Sequence, residues 1–500
     1  MKSAHAASRF KIPASIGSFI GGQAYVGKGE RLPVMNPATA QSVTHVVEAG
    51  SQEVGAAVVS ARLAFEQGPW PRSSVEHRQD VLRSIQRVLI SHAEELAYLE
   101  CLNTGIVLRE IEQRHMRRAA LNFSFFADYI GQSSDRVYRQ TQGYVTSIMR
   151  EPVGVAALIA PWNAPLALSS MQIASAIAFG ATCVVKPSEQ SPMAVALMIA
   201  LLCEAGLPKG VVNLVNGRGP VTGQALVTHP GIDRVSFTGG TETGRRIMMA
   251  AAQNLVPCTL ELGGKSANII FASADLDRAL DGALIGIFSN NGQQCLAGSR
   301  ILVERTILDD FMNCFVARTQ AIRIGDPLAS TTELGPLASQ AQMDRVLGFA
   351  RQAPKEGCTV LVGGQAAPGF DEGYYVQPTA ILAPNNHCSA ARQEIFGPFA
   401  TLMAFDTIDE ALTMANDSEY GLASYVWSDH LPTVTHMSEG LRTGAVWVNT
   451  PMMRELRAPF GGFKNSGIGR QSGAACEAFF TEEKAITIPT KPHPLRRLGG

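Results

Sequence analysis

From residue 153 to residue 261, short apolar runs alternate with helix-length stretches. The runs 153–159, 183–186, 211–215, 234–237 and 259–262 are rich in β-branched and aliphatic residues and have strand length, whereas 193–204 reads as a helix stopped by Gly206 and Pro208. Each crossover is long enough for a right-handed βαβ unit, which predicts a doubly wound, largely parallel α/β sheet. Leu262-Gly263-Gly264 marks a boundary, and a second series follows with strands near 267–271, 300–303, 400–405, 424–427 and 445–448. The pattern predicts two α/β domains with a ligand cleft between them. Alternating runs at 144–149 and 484–488 read as edge strands that need a partner to cover them.

The stretch 153–185 carries no charged residue and is long enough to span a bilayer. Pro161, Asn163, Pro165 and Gln172 interrupt it and Phe179-Gly180 ends it, so a buried strand, a loop and a core helix fit better than a membrane span. With 46% hydrophobic and 17% charged residues, the 500-residue chain can bury large cores. A formal net charge of -1 gives no basic excess and argues against a nucleic-acid partner. The nine cysteines are scattered and never spaced C-x-x-C, which argues against a disulfide framework or a metal site and for a reducing, cytoplasmic setting. The first 29 residues, with Lys2, Arg9, Lys11 and Lys28 but no acid, read as an arm leading to a hairpin at Ile20-Gly21-Gly22.

Candidate chemistry centres on Cys295, which follows the uncharged run Asn290-Asn291-Gly292-Gln293-Gln294. Glu261, 34 residues upstream, ends an apolar strand, and Pro161-Trp162-Asn163 breaks the uncharged stretch. These motifs resemble the aldehyde dehydrogenase superfamily in order and spacing, from about Phe19 to about Lys484. So do Val184-Val185-Lys186-Pro187-Ser188-Glu189, Phe237-Thr238-Gly239-Gly240-Thr241-Glu242, Glu394-Ile395-Phe396-Gly397-Pro398 and Pro459-Phe460-Gly461-Gly462-Phe463-Lys464.

The resemblance implies an oxidoreductase that converts a small-molecule aldehyde to an acid with NAD. It makes Cys295 the nucleophile, and Asn163 with the Cys295 amide the donors to the oxyanion. Glu261 becomes the base that activates water; its presence favours hydrolysis over transfer to coenzyme A. The alternative for Glu261 is a buried carboxylate satisfied by backbone amides. Lys186 and Glu189 resemble the pair that binds the adenosine ribose, and a carboxylate there favours NAD over NADP. Gly239 and Gly240 open a helix toward the pyrophosphate, although many relatives have serine at the second position. Glu394 and Phe396 resemble the grip on the nicotinamide ribose. Ile159, Trp162 and Leu262 complete the expected cofactor contacts, with Gly219 from Gly217-Arg218-Gly219, a weak fingerprint whose next glycine, Gly223, comes one place late.

By the same resemblance, residues 1–127 and 147–260 form the NAD-binding domain and 261–440 the catalytic domain. Residues 128–146 and 480–490 form an arm that joins subunits into a homodimer or homotetramer. Around the substrate, Ala164, Met171, Leu296 and Phe460 are expected. Arg454-Glu455-Leu456-Arg457 before Pro459 resembles the subgroup that oxidises hydroxymuconic or aminomuconic semialdehydes. Arg457 is the expected carboxylate clamp, with Arg114 as a second. Both Arg454 and Arg457 read equally well as surface residues, and Arg114, Arg117 and Arg118 as a solvated helix face. A broad-range aldehyde dehydrogenase and a non-catalytic protein on the same fold are the other readings.

Overall fold

A computed structural model describes residues 10–499; the Lys2 and Arg9 end of the expected arm lies outside them. Five strands of the first series form the parallel centre of an eight-stranded sheet, in the order Val212–Leu214, Thr182–Lys186, Val155–Ile159, Arg234–Thr238, Cys258–Glu261. Antiparallel strands flank it: Ser18–Ile20 and its hairpin partner Gln23–Tyr25 on one side, Gly467–Ile468 on the other. The order reverses between Val155–Ile159 and Arg234–Thr238, which creates the crevice at strand carboxyl ends where ligands bind in open α/β sheets.

A seven-stranded sheet holds the second series, in the order Thr359–Val362, Thr379–Leu382, Phe399–Phe405, Arg300–Glu304, Ala267–Ile270, Ala423–Trp427, Ala445–Val448. All its pairs are parallel except the one at Thr359–Val362. The chain therefore leaves the first sheet at Glu261 and enters the second at Ala267. The segment between them runs from the carboxyl end of a strand in one sheet to the amino end of a strand in the other, and its Leu262 and Gly263 line the crevice. A return crossing follows late in the chain. Leu456, Cys476 and Phe480 pack into the first core although Ala445–Val448 belongs to the second sheet.

The uncharged stretch resolves as expected into a strand, a loop and the helix Pro165–Ala178, in which only Leu168 is not buried. Proline at the first helical position costs no hydrogen bond, and each fully buried Leu or Ile contributes about 1.5–3 kcal/mol. No helix among the described residues is long and apolar enough to cross a membrane. Thr481–Pro489, Tyr144–Pro152 and Arg136–Gln140 form a separate antiparallel ribbon with Arg136–Gln140 exposed throughout. The segment around Arg114 departs from a plain solvated helix. A π-turn, Ile111–Met116, precedes the helix Arg117–Ile130, and the extra residue in the turn rotates His115 and Met116 inward and leaves Arg118 half-buried.

Candidate active site

The crevice holds a cavity of about 180 Å³ lined by Trp162, Asn163, Leu168, Gly239, Gly240, Glu261, Leu262, Cys295, Gln342, Glu394 and Phe396, among others. Two of its walls are the segments that follow the strands at the switch point, Pro161-Trp162-Asn163 and Thr238-Gly239-Gly240. The third is the crossing segment, the fourth is the loop before Arg300–Glu304, which carries Cys295, and Gln342, Glu394 and Phe396 close the remaining side.

That loop shows why its sequence is all small amides. After the helix Leu276–Phe288 the backbone takes three left-handed residues in succession: Asn290 (φ 57), Asn291 (φ 54) and Gly292 (φ 70). Asparagine tolerates this region better than other side-chain-bearing residues. At Gly292 a Cβ would also lie 2.2 Å from the Gly397 carbonyl carbon. Each amide then ties the loop to a neighbour. Asn291 donates to the carbonyls of Gly105 and Pro336, both at 2.9 Å, and accepts from the Gly335 N–H at 2.9 Å. Gln293 accepts from the Ala338 N–H at 2.9 Å. Asn290 Nδ2 donates to the carbonyls of Asn163 (2.8 Å) and Gln293 (2.9 Å). Asn163 Nδ2 donates to the same Gln293 carbonyl at 2.8 Å, which fixes its amide and leaves its second N–H for another acceptor.

Charge in the cavity is poorly solvated. Glu261 is 4% exposed, neither of its oxygens has a hydrogen-bond partner, and burial holds its carboxyl well above the usual carboxylate range. Backbone amides therefore do not satisfy it. Arg454 and Arg470 oppose the shift. Burial, then the charges of Glu394 and Glu261, push the Cys295 thiol up to about 12, while Arg454 pulls it down. Glu394 is pushed up to about 7 by burial, against a 2.9 Å hydrogen bond from the Gly264 N–H. At Gly263 a Cβ would lie 2.3 Å from Glu394 Oε2, so any larger residue would displace that carboxylate.

Phe396 sits at φ 64, a strained conformation for an aromatic residue. Gln342 holds it there by donating to the carbonyls of Ile395 (2.8 Å) and Phe396 (2.6 Å), and its ring meets Trp162 edge-on at 5.2 Å. Sequence reading missed Gln342, because nothing local marks a helix residue that clamps a loop more than fifty positions away.

The residues expected at the cofactor sit on two levels. Trp162, Gly239, Gly240, Leu262, Glu394 and Phe396 line the cavity. Lys186 and Glu189 lie beyond it, with Nζ 3.7 Å from the carboxylate, and Lys186 packs against the turn Gly219–Gly223. Ile159 is buried at the end of its strand. The helix Thr241–Ala252 begins at Gly240 with no side-chain cap, so its first amides are open to an anion. An uncapped helix start, a carboxylate flanked by an amine and a second buried carboxylate together suit a dinucleotide.

The substrate side departs from expectation. Met171 is buried in the core and Leu296 offers its carbonyl to the Tyr425 hydroxyl at 2.7 Å. Arg457, with a side chain 79% exposed, folds back on Glu455 at 2.8 Å. The arginine whose charge acts on both Glu261 and Cys295 is Arg454, whose guanidinium lies 3.5 Å from the centre of the Phe460 ring and donates to Ser472 Oγ at 3.1 Å. Burial and the nearby Arg118 lower its pKa to about 9. Arg118 itself, lowered to about 10 by burial, donates to Asn122 Oδ1 at 2.7 Å. Both arginines thus have neutral hydrogen-bond partners, and among the described residues neither forms an ion pair. Arg114 pairs with Glu110 and lines a separate, larger cleft of about 870 Å³ with Phe288, Met452 and Met453.

A thiol, an unsolvated carboxylate, an oriented amide and a dinucleotide crevice define a thiol-dependent oxidoreductase. Over residues 25–486 the chain matches the aldehyde dehydrogenase family, to which it belongs. It is 38% identical to the 2-hydroxymuconic semialdehyde dehydrogenase of Pseudomonas sp. (strain CF600) over 94% of this chain and 98% of that one. Its structure matches HpcC from Thermus thermophilus with a TM-score of 0.95 at 40% identity, covering 100% and 97% of the two chains. It also matches the NAD+ complex of an aldehyde dehydrogenase from Bacillus cereus with a TM-score of 0.93 at 38% identity, covering 95% and 97%. The protein is an NAD-dependent aldehyde dehydrogenase.

Proposed function

We propose that this enzyme oxidises a semialdehyde bearing a carboxylate, of the hydroxymuconic type produced by aromatic ring cleavage, to the corresponding dicarboxylic acid by hydrolysis of a thioester. The observation that carries the substrate class is the pair Arg454 and Arg118, two half-buried guanidiniums held by neutral partners. Poorly solvated cations without an anion are costly, and a substrate carboxylate supplies one.

The Cys295 thiolate adds to the aldehyde carbon, and the carbonyl electron pair moves to oxygen. That oxygen accepts from the second N–H of Asn163 and from the Cys295 amide, which faces its own sulfur. Two carboxylates oppose the thiolate and Arg454 favours it; a protonated Glu261 removes one opposing charge. The open amides at the start of Thr241–Ala252, with Lys186, Glu189, Glu394 and Phe396, would hold NAD, which would supply the hydride acceptor, and loss of the hydride would leave a thioester on Cys295. After its own proton has passed to solvent, the Glu261 carboxylate takes a proton from water as the water oxygen attacks the thioester carbon. Collapse of the adduct expels the Cys295 thiolate and releases the acid. The exposed ribbon edge at Arg136–Gln140 supports assembly as a homodimer or homotetramer, and nine unpaired thiols support a cytoplasmic setting.

NADH formation with hexanal and with 2-hydroxymuconic semialdehyde, for the wild type, Arg454→Ala and Arg457→Ala, tests this reading. The expected result is a preference of tens-fold for the carboxylated substrate that Arg454→Ala erases and Arg457→Ala leaves intact. A lost charge-paired contact of ~2–3 kcal/mol is about that large. Equal rates on both substrates, unmoved by Arg454→Ala, would make the enzyme a generalist.

A further inference from the structure

Glu110 lies outside the catalytic cavity, yet the geometry leads from it to both ends of the oxyanion site. Its side chain is only 17% exposed, and its two oxygens accept from the backbone N–H of Asn290 at 3.1 and 2.9 Å. Arg114, one turn further on, pairs with the same carboxylate. Asn290 is the first left-handed residue of the nucleophile loop, and its buried N–H follows the end of a helix. Its side-chain amide spends both hydrogens on the carbonyls of Asn163 and Gln293, while its Oδ1 has no partner. That asymmetry fixes the amide's orientation, because a flip would set Oδ1 against two carbonyl oxygens.

We propose that Glu110 is a positioning residue for the oxidation, acting through Asn290 on Asn163 and on the peptide two residues before Cys295. It touches neither the cavity nor the reacting atoms. By anchoring the Asn290 N–H it holds the left-handed entry to the loop, and the Asn290 amide then sets the Asn163 backbone and the Gln293 carbonyl on which the Asn163 side chain rests. A carboxylate suits the task because a charged acceptor binds a backbone N–H more strongly than a neutral one. Arg114 balances its charge, which also gives that arginine a partner within the protein rather than on the substrate. The inference rests on the roles proposed for Cys295 and Asn163.

Its test is single-turnover NADH formation with enzyme in excess over 2-hydroxymuconic semialdehyde and NAD saturating. With active enzyme also well above the substrate Kd, the rate is independent of the fraction of active enzyme, so a loss of folded protein alone does not move it. Glu110→Ala is expected to slow this rate tenfold or more, the size of one lost charge-assisted hydrogen bond, with the Kd for NAD unchanged. Glu110→Gln, which keeps an acceptor for the Asn290 N–H, is expected to stay within about threefold of the wild type. Asn290→Gly accepts the left-handed backbone but removes the side-chain donors, and is expected to be slowed even if Glu110→Ala does not fold. Wild-type rates in Asn290→Gly or Glu110→Ala, or equal slowing by Ala and Gln at 110, would overturn the proposal. Cys295→Ala run alongside separates the two readings: turnover there overturns the nucleophile assignment itself, whereas its absence beside a fast Glu110→Ala overturns only the role of Glu110.

Discussion

The floor of the site and its rim are built on opposite principles. Along the floor, from Ser289 to Cys295, consecutive amides each reach a backbone partner in another part of the chain, and the backbone is held left-handed at three positions. Along the rim, beyond the well-tied Asn449 and over residues 451–457, the ties are fewer. Trp447 Nε1 donates to the Met453 carbonyl at 2.6 Å, Arg454 reaches Ser472, and Met453 itself is 67% exposed. Arg454 turns in and Arg457, three residues later, turns out onto Glu455. Chemistry tolerates little displacement, so the floor is over-determined. The rim is held more loosely, by the Trp447 indole, the Phe460 ring, the Ser472 hydroxyl and the buried Leu456.

The comparison breaks first at Cys295. Cys295→Ala is expected to abolish NADH formation while NAD binding, measured by calorimetry, persists; residual turnover at even a few per cent of wild type would mean that the floor is not where the chemistry occurs. Next in size is Glu261→Gln. Loss of a general base typically costs ~10²–10⁴ in rate, and the thioester is expected to accumulate as an adduct seen by intact mass after a first turnover. A full steady-state rate with no adduct would assign water activation elsewhere. Smaller again, and confined to the rim, is Arg454→Lys. The ammonium keeps the charge but loses the fork and the stacking on Phe460, so kcat/KM for the carboxylated substrate is expected to fall by roughly 5–20-fold, with hexanal unchanged. An equal fall on both substrates would place Arg454 with the floor instead.

What could be read in the sequence follows the same division. The strands of the two alternating series and the helix Met193–Glu204 have a strong local signature and formed within a residue or two of expectation, whereas Thr359–Val362, Thr379–Leu382 and Gly467–Ile468 were not foreseen. That Cys295, Asn163 and Glu261 meet in one cavity was legible because a motif of several adjacent residues marks each one. Arg454 and Arg457 were not separable, because two arginines in one short loop differ only in where each side chain turns. That is decided by Glu455 next to one and by Phe460 and Ser472 beside the other. Arg118 was hidden for a different reason: the π-turn before it shifts the helix face by a fraction of a turn, and periodicity counted at 3.6 residues places it in solvent. Glu110 and Gln342 act across long sequence separations, on loops whose positions no local pattern reveals.

The smallest effect sharpens the contrast most directly, because it asks what the floor costs in stability. Folding raises the Glu261 pKa, so the charged form is favoured in the unfolded chain. Below the unfolded value, about 4.3, both states are protonated and the shift has no effect on stability. Above it the unfolded chain ionises while the folded one resists, and the native state loses stability as pH rises toward the folded pKa. Glu261→Gln removes that loss. Its thermal midpoint is therefore expected to exceed that of the wild type at pH 8, by something on the order of 1–3 °C, with the gap closing near pH 4. Arg457→Ala, which removes only an exposed ion pair, is expected to leave the midpoint within measurement scatter at both pH values. Scanning calorimetry of the three proteins at the two pH values decides the matter. A Glu261→Gln variant less stable than the wild type at pH 8 would mean that its carboxylate is held in the native state by a favourable interaction, and that the floor is there a source of stability.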